Sequence, residues 1–306
     1  MSPRPALLLP LLLAIATGFA QAGKPNDATA TSLATPVLQG WMHTDLGPAW
    51  AQGYKGQGIT VKVVDDFASS TTYGGNLGDG SMSQRHGEWT LKEASMVAPS
   101  ATFKTHDLGN TSSVSLSRGL NVLNASYGTY GPAGLNTSTL AFTPRDNSII
   151  SYAGSGSAVV SKAAGNDSVP IGSAGALGVD YLNLALRGRA SAIYVGALSN
   201  NGSSTAPASL ASYSNTPGTD AVVQNQFLVV GVEGSQTGLY GTSFAAPVVS
   251  GYAAIVGSKF TRATASQISN QLLNTARQDT IANYSAVLHG RGEASLSRAL
   301  APLSIK

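Results

Sequence analysis

The sequence predicts an α/β domain in which a mostly parallel central sheet is covered by helices on both faces. Three observations predict it. Short β-branched runs recur along the chain, as in GQGITVKVVDD, where Ile59, Val61, Val63 and Val64 precede two acids. Segments with helical character lie between these runs, and such alternation marks parallel strands joined by crossover helices. The chain has 306 residues, 42% of them hydrophobic, enough to bury the core that such a sheet needs.

Taken in order, the first run ends in acid at Asp65 and reads as a strand buried on both faces. ATFKTHDL, NVLNASYG, SAVVSKAAGN, SAIYVGAL and QFLVVGV read as five more strands. Helices are expected over residues 88–96, 113–120, 145–154, 244–259, 265–276 and 293–300. The fifth has local support, because Thr264-Ala265-Ser266-Gln267 fits a capping box ahead of Ile268, Leu272 and Leu273. The glycine-rich stretch TTYGGNLGDGSMS (71–83) is expected to form a flexible lid, with Asp79-Gly80 as a turn.

The first residues carry the parts of a secretory signal. Arg4 is the positive charge, residues 6–19 the apolar run, and Ala20-Gln21-Ala22 a small-x-small cleavage site. The apolar run is shorter than the ~20 residues a membrane span needs, and Pro10 interrupts it. The expected organisation is a signal peptide over 1–22, a polar lead-in over 23–40 and a single α/β domain over 41–304. The expected location is the periplasm of a bacterium or the medium, with no membrane span after the signal is removed. Charged residues make up 11% of the chain and show no Lys/Arg cluster, so no nucleic-acid partner is expected. The absence of cysteine excludes disulfides, thiolate chemistry and cysteine-held zinc.

In open parallel sheets, functional groups gather beyond the carboxyl ends of the strands. Asp65 ends the first strand, Asn166 follows another in AAGND, and Ser243 stands at the mouth of an apolar helix in LYGTSFAAPVVSGYAAIV. His86, in QRHGEWTL, lies at a helix start. On its own segment Ser243 is equally a helix cap or a nucleophile at a helix N-terminus. Together, an aspartate, a histidine and a serine in that order are the parts of an acyl-transfer triad. Serine is a poor nucleophile without a base in reach, and histidine can take and return its proton near neutral pH. The Asn166 amide and the Ser243 N–H are two donors for the oxyanion. Successive strand side chains point to opposite faces, so only one of Asp65 and Asp66 can meet the histidine. Asp65 is preferred, with Asp66 as a capping or loop residue.

The motifs around these residues resemble those of subtilisin-family (subtilase) serine proteases. ITVKVVDD, HG, SMVAPSATF, NVLNASYG, VVSKAAGND, IYVGAL, LASYSN and GTSFAAPVVSG follow in the family's order. GTSFAAP is the most specific of them. The similarity runs from about Trp41 to Leu303 and is nearest in flavour to the subtilase passenger domains of bacterial autotransporters. The resemblance implies a three-layer subtilisin-like fold and a serine endopeptidase working through a covalent acyl-enzyme. It implies Asp65, His86 and Ser243 as the triad, Asn166 and the Ser243 amide as the oxyanion hole, and Ser126-Tyr127-Gly128 as the strand that pairs with substrate. The expected partner is a protein or peptide substrate, the expected state a monomer, and no cofactor is expected.

The chain departs from the family pattern in its Asp-to-His spacing, 21 residues, which is short. It leaves no room for the calcium loop many subtilases carry there, so no metal site is expected. Residues 167–189 are expected to floor the specificity pocket, with apolar or small side chains preferred. His43, His106 and His289 are expected to be structural or exposed, whereas Trp89 and Tyr127 either shape the cleft or pack. The alternative function is a catalytically dead subtilase-fold protein that binds peptides. A lipase-type G-x-S-x-G elbow is excluded, since Ala245 stands at its second glycine.

Overall fold

The computed structural model describes residues 36–305. The expected signal peptide (1–22) and most of the lead-in lie outside the described residues. The chain opens with α1 (Leu46–Ala51) and β1 (Thr60–Asp65). A hairpin of β2 (Tyr73–Gly75) and β3 (Met82–Gln84) precedes α2 (His86–Val97). Then come β4 (Thr102–Asp107), β5 (Asn121–Ala125), β6 (Tyr130–Gly131) and α3 (Pro144–Ser155). They are followed by β7 (Val159–Ala163), β8 (Val179–Asp180), α4 (Tyr181–Leu186) and β9 (Ala192–Leu198). Next are α5 (Ala221–Asn225), β10 (Phe227–Gly231), α6 (Gly234–Thr237) and α7 (Ala246–Lys259). The last are α8 (Ala265–Asn274), α9 (Ala286–His289) and α10 (Leu296–Leu300).

Six strands form one parallel sheet in the order β10-β9-β7-β5-β1-β4, each arising from one of the six predicted runs. The five strands other than edge strand β4 are buried along their whole length, which is why they read as near-continuous apolar runs. Helices α1, α2, α7, α8 and α10 pack on one face, with Val61 and Val63 of β1. The other face buries Val64 against residues of α3, α4 and α5. Asp65 therefore shares the α2 face with Val61 and Val63, by the two-residue period of a strand. In α7 every residue but Lys259 is buried, so this helix is the apolar rod of the molecule.

Three local expectations need correction. Residues 113–120 are not helical. Val114 and Leu116, two apart, both reach the second core, as extended chain requires. The Tyr152 hydroxyl holds the Val114 carbonyl, and the Asn121 amide clamps Ser117 and Gly119. Residues 293–300 are helical only from Leu296, because Glu293 is bridged to Val229 and Arg277 and the Ser295 side chain caps the helix. The stretch 71–83 lies within the β2–β3 hairpin, so it is partly paired strand where the glycine content suggested open loop.

Glu93 of α2 is buried with Oε2 lacking any hydrogen-bond partner. Burial pushes its carboxyl well above the usual range. A raised folded-state value means the stability is complete below the unfolded value and is lost as pH rises toward the folded one. Glu93→Gln is therefore expected to unfold at higher urea than the parent at pH 8 and to match it near pH 4. Equal midpoints at both pH values would contradict this.

Candidate active site

The carboxyl end of β1 places Asp65 beneath the start of α2. Its carboxylate is buried and accepts three hydrogen bonds: from His86 Nδ1 at 2.6 Å, the Asp66 N–H at 2.7 Å and the Thr90 hydroxyl at 2.8 Å. Thr90 lies four residues after His86, so both face the acid from one side of the helix. Gly87 lets this approach happen. Its N–H donates to the Asp66 carbonyl at 2.9 Å, and a Cβ there would lie 2.7 Å from that oxygen. The first turn of α2 carries a capping contact, with the Arg85 N–H donating to Glu88 at 2.8 Å. Asp66 turns the other way and accepts from Ala68, Ser69 and the Ser69 hydroxyl. The Ser69 hydroxyl holds the Asp66 carboxyl below the usual carboxylate range.

Ser243 lies in a short 3-10 turn, Thr242–Phe244, rather than in α7 itself. Gly241 enters that turn at φ 122°, a region that favours glycine, and a Cβ there would stand 3.2 Å from Asn166 Nδ2. Asn166, in the loop after β7, is oriented by Thr242, whose N–H and hydroxyl both donate to its Oδ1, at 2.8 and 3.0 Å. A backbone N–H can only donate, so Oδ1 must face Thr242. Nδ2 then points away, and it has no partner among the described residues. The Ser243 N–H likewise has none.

The Ser243 hydroxyl donates to the Ser126 carbonyl at 3.3 Å, and the Ser126 hydroxyl donates to the Ser243 carbonyl at 3.0 Å. No hydrogen bond joins His86 to Ser243 among the described residues. The imidazole is nevertheless set beside the serine turn, with its ring 5.6 Å from that of Phe244 and 5.9 Å from that of Tyr73. Behind Ser126, Asn124 Nδ2 donates to Ser126 Oγ at 3.0 Å while its Oδ1 accepts from Ser250 of α7 at 3.1 Å. Beyond Ser126, no described residue engages the backbone N–H or C=O of Tyr127 or Gly128. These groups form an open edge that an extended peptide can pair with. A Cβ on Gly128 would lie 2.8 Å from Asp180 Oδ2, which is neutralised by Lys162 at 2.9 Å. That pair belongs partly to the predicted floor segment 167–189.

The remaining candidates are accounted for locally. His106 bonds the Asn110 carbonyl, His43 lies between Asp45 and Arg277, and His289 bonds Ser285. Trp89 is fully buried and donates to the Tyr73 carbonyl at 2.7 Å. The Tyr127 hydroxyl donates to Asp146 at 2.7 Å, and burial followed by that carboxylate pushes its pKa up. Among the described residues no group of His, Asp and Glu could hold a metal ion, and no helix is long and apolar enough to cross a membrane. Sequence reasoning missed Thr90, Thr242, Asn124, Tyr73 and Phe244. Thr90 had a signal in its four-residue spacing from His86, and Asn124 in being an amide inside an apolar strand. Tyr73 had none.

Comparison with known proteins gives consistent similarities. A model of the subtilase family matches residues 66–292. No curated protein matches the chain in sequence. Among solved structures, a lanthipeptide protease is 19% identical with a TM-score of 0.54, covering 84% of this chain and 91% of its own. The prenylagaramide maturation protease PagA is 20% identical with a TM-score of 0.55, covering 84% of this chain and 98% of its own. A protease of Pseudoalteromonas arctica is 18% identical with a TM-score of 0.50, covering 84% and 93%. At such identities the likeness is one of fold.

Proposed function

Since the chain belongs to the subtilase family, we propose that it is an exported serine endopeptidase acting through Asp65, His86 and Ser243. The observation that carries the reading is the 2.6 Å contact of His86 with buried Asp65, beside the turn that holds Ser243. His86 Nε2 takes the Ser243 proton as Oγ attacks the scissile carbonyl, and Asp65 holds the Nδ1–H tautomer and stabilises the imidazolium. Asn166 Nδ2 and the Ser243 N–H receive the oxyanion. His86 then protonates the departing amine, which leaves a Ser243 ester for water to cleave. The substrate backbone pairs with Tyr127 and Gly128. Export rests on the leader over 1–22, and a mature chain starting at Gly23 is its expected mark.

A catalytically dead peptide-binding protein is the second reading. One observation favours it: the Ser243 hydroxyl is bonded to Ser126, not to His86. Catalytic hydrogen bonds are often long or misaligned before substrate binds, so this does not decide against chemistry. A fluorophosphonate probe separates the two. Stoichiometric labelling of Ser243, with peptide cleavage lost in parallel, is expected. An unlabelled, folded protein would select the binding reading.

A further inference from the structure

We propose that the β2–β3 hairpin forms the subsite for the part of the substrate that leaves, with Tyr73 as its specificity-determining residue. The inference rests on the acyl-transfer reading above. In that chemistry the departing amine lies next to the imidazole that protonates it, whereas the acyl portion runs along Tyr127 and Gly128. Tyr73 is the hairpin side chain that adjoins His86, edge-on at 74°, and it is 46% exposed.

The hairpin is fixed on several sides. The Tyr73 carbonyl accepts from buried Trp89 at 2.7 Å, the Asn76 N–H donates to the Thr237 carbonyl at 2.8 Å, and Asp79 pairs with Lys92 at 2.5 Å. Tyr73 is thus presented on a held element, so less ordering entropy opposes binding. Further along the hairpin, and lined by neither Tyr73 nor His86, opens a cavity of about 550 Å³ whose lining includes Gly74, Gly75, Asn76, Met82, Gln236 and Thr237. No charged side chain lines it. Glycine backbone and amide side chains suit an extended, uncharged peptide, and the tyrosine ring suits an apolar first residue after the scissile bond.

Acyl transfer to an added amine reads this subsite directly. A peptide ester cleaved by the parent protein acylates Ser243. The nitrogen of added leucinamide then attacks the acyl carbon, the bond to Ser243 Oγ breaks, and the amine proton passes through His86 to that oxygen. Water and amine compete for one acyl-enzyme, and both use His86. A disturbance of His86 alone therefore cancels in their ratio. Tyr73→Ala is expected to weaken leucinamide capture relative to hydrolysis about tenfold, the size of one aromatic contact with its buried area. Tyr73→Phe should retain it, and Tyr73→Glu should favour argininamide over leucinamide. An unchanged ratio in Tyr73→Ala, or an equal loss in Tyr73→Phe, overturns the subsite while leaving the acyl-transfer reading intact. A parent protein that neither hydrolyses esters nor takes the fluorophosphonate overturns both.

Discussion

Ser243→Ala is expected to lower kcat on a cleavable peptide by ~10⁶, the loss that follows removal of the nucleophile from a subtilisin. The reason is that Ser243 carries the hydroxyl in the turn beside the His86 ring, whereas the neighbouring Ser126 hydroxyl is engaged with the Ser243 carbonyl. A residual rate of ~10³–10⁴ over the uncatalysed reaction is expected, because Asn166 Nδ2, the Ser243 N–H and the open edge at Tyr127 and Gly128 are untouched. The fold should tolerate the change. The hydroxyl is half-buried and makes one 3.3 Å hydrogen bond, to the Ser126 carbonyl. Losing it costs about 0.5–1.5 kcal/mol, a fraction of a typical domain's stability. Steady-state rates beside a urea titration make the check. Near-parental turnover in a folded Ser243→Ala protein would end the proposed mechanism.

Asp65→Asn is expected to lower kcat by ~10⁴, whereas Asp66→Asn should leave most of it. The carboxylate of Asp65 is acceptor-only toward His86, Asp66 N–H and Thr90. An amide in its place can turn a donor toward His86 Nδ1. The imidazole then carries its proton on Nε2 and cannot act as a base toward Ser243. Asp66 accepts from the loop at Ala68 and Ser69, and an asparagine oxygen can keep those bonds. Rates for the two variants on one substrate decide between neighbours that sequence alone could only rank. The reverse order of losses would move the acid role to Asp66.

Much of the sheet was legible because a strand covered on both faces is largely apolar, a demand written in consecutive residues 227–231 and, with Thr60 and Lys62 as buried polar exceptions, in 59–64. Candidate groups could be named because loops at the carboxyl ends of parallel strands converge, and Asp65 and Asn166 stand where two such runs stop. The errors came where local pattern was weak. Residues 113–120 have helix-compatible composition, yet their apolar pair at Val114 and Leu116 is two apart and their polar groups are satisfied by Tyr152 and Asn121. The glycine-rich 71–83 stretch looked mobile because glycine permits mobility, but partners far along the chain, Trp89 and Thr237, hold it.

By itself the sequence determined where the six main strands lie along the chain, the greasy helix α7 and the residue types available at the rim. Only the tertiary structure decided that Asp65 rather than Asp66 meets His86, that Thr242 turns the Asn166 amide outward, and that Ser243 presently bonds Ser126. The physical reason is range. Burial along a strand is fixed by neighbours in sequence, but the direction of a hydrogen bond is fixed by whichever donor the fold brings within 3 Å or so, often from many residues away.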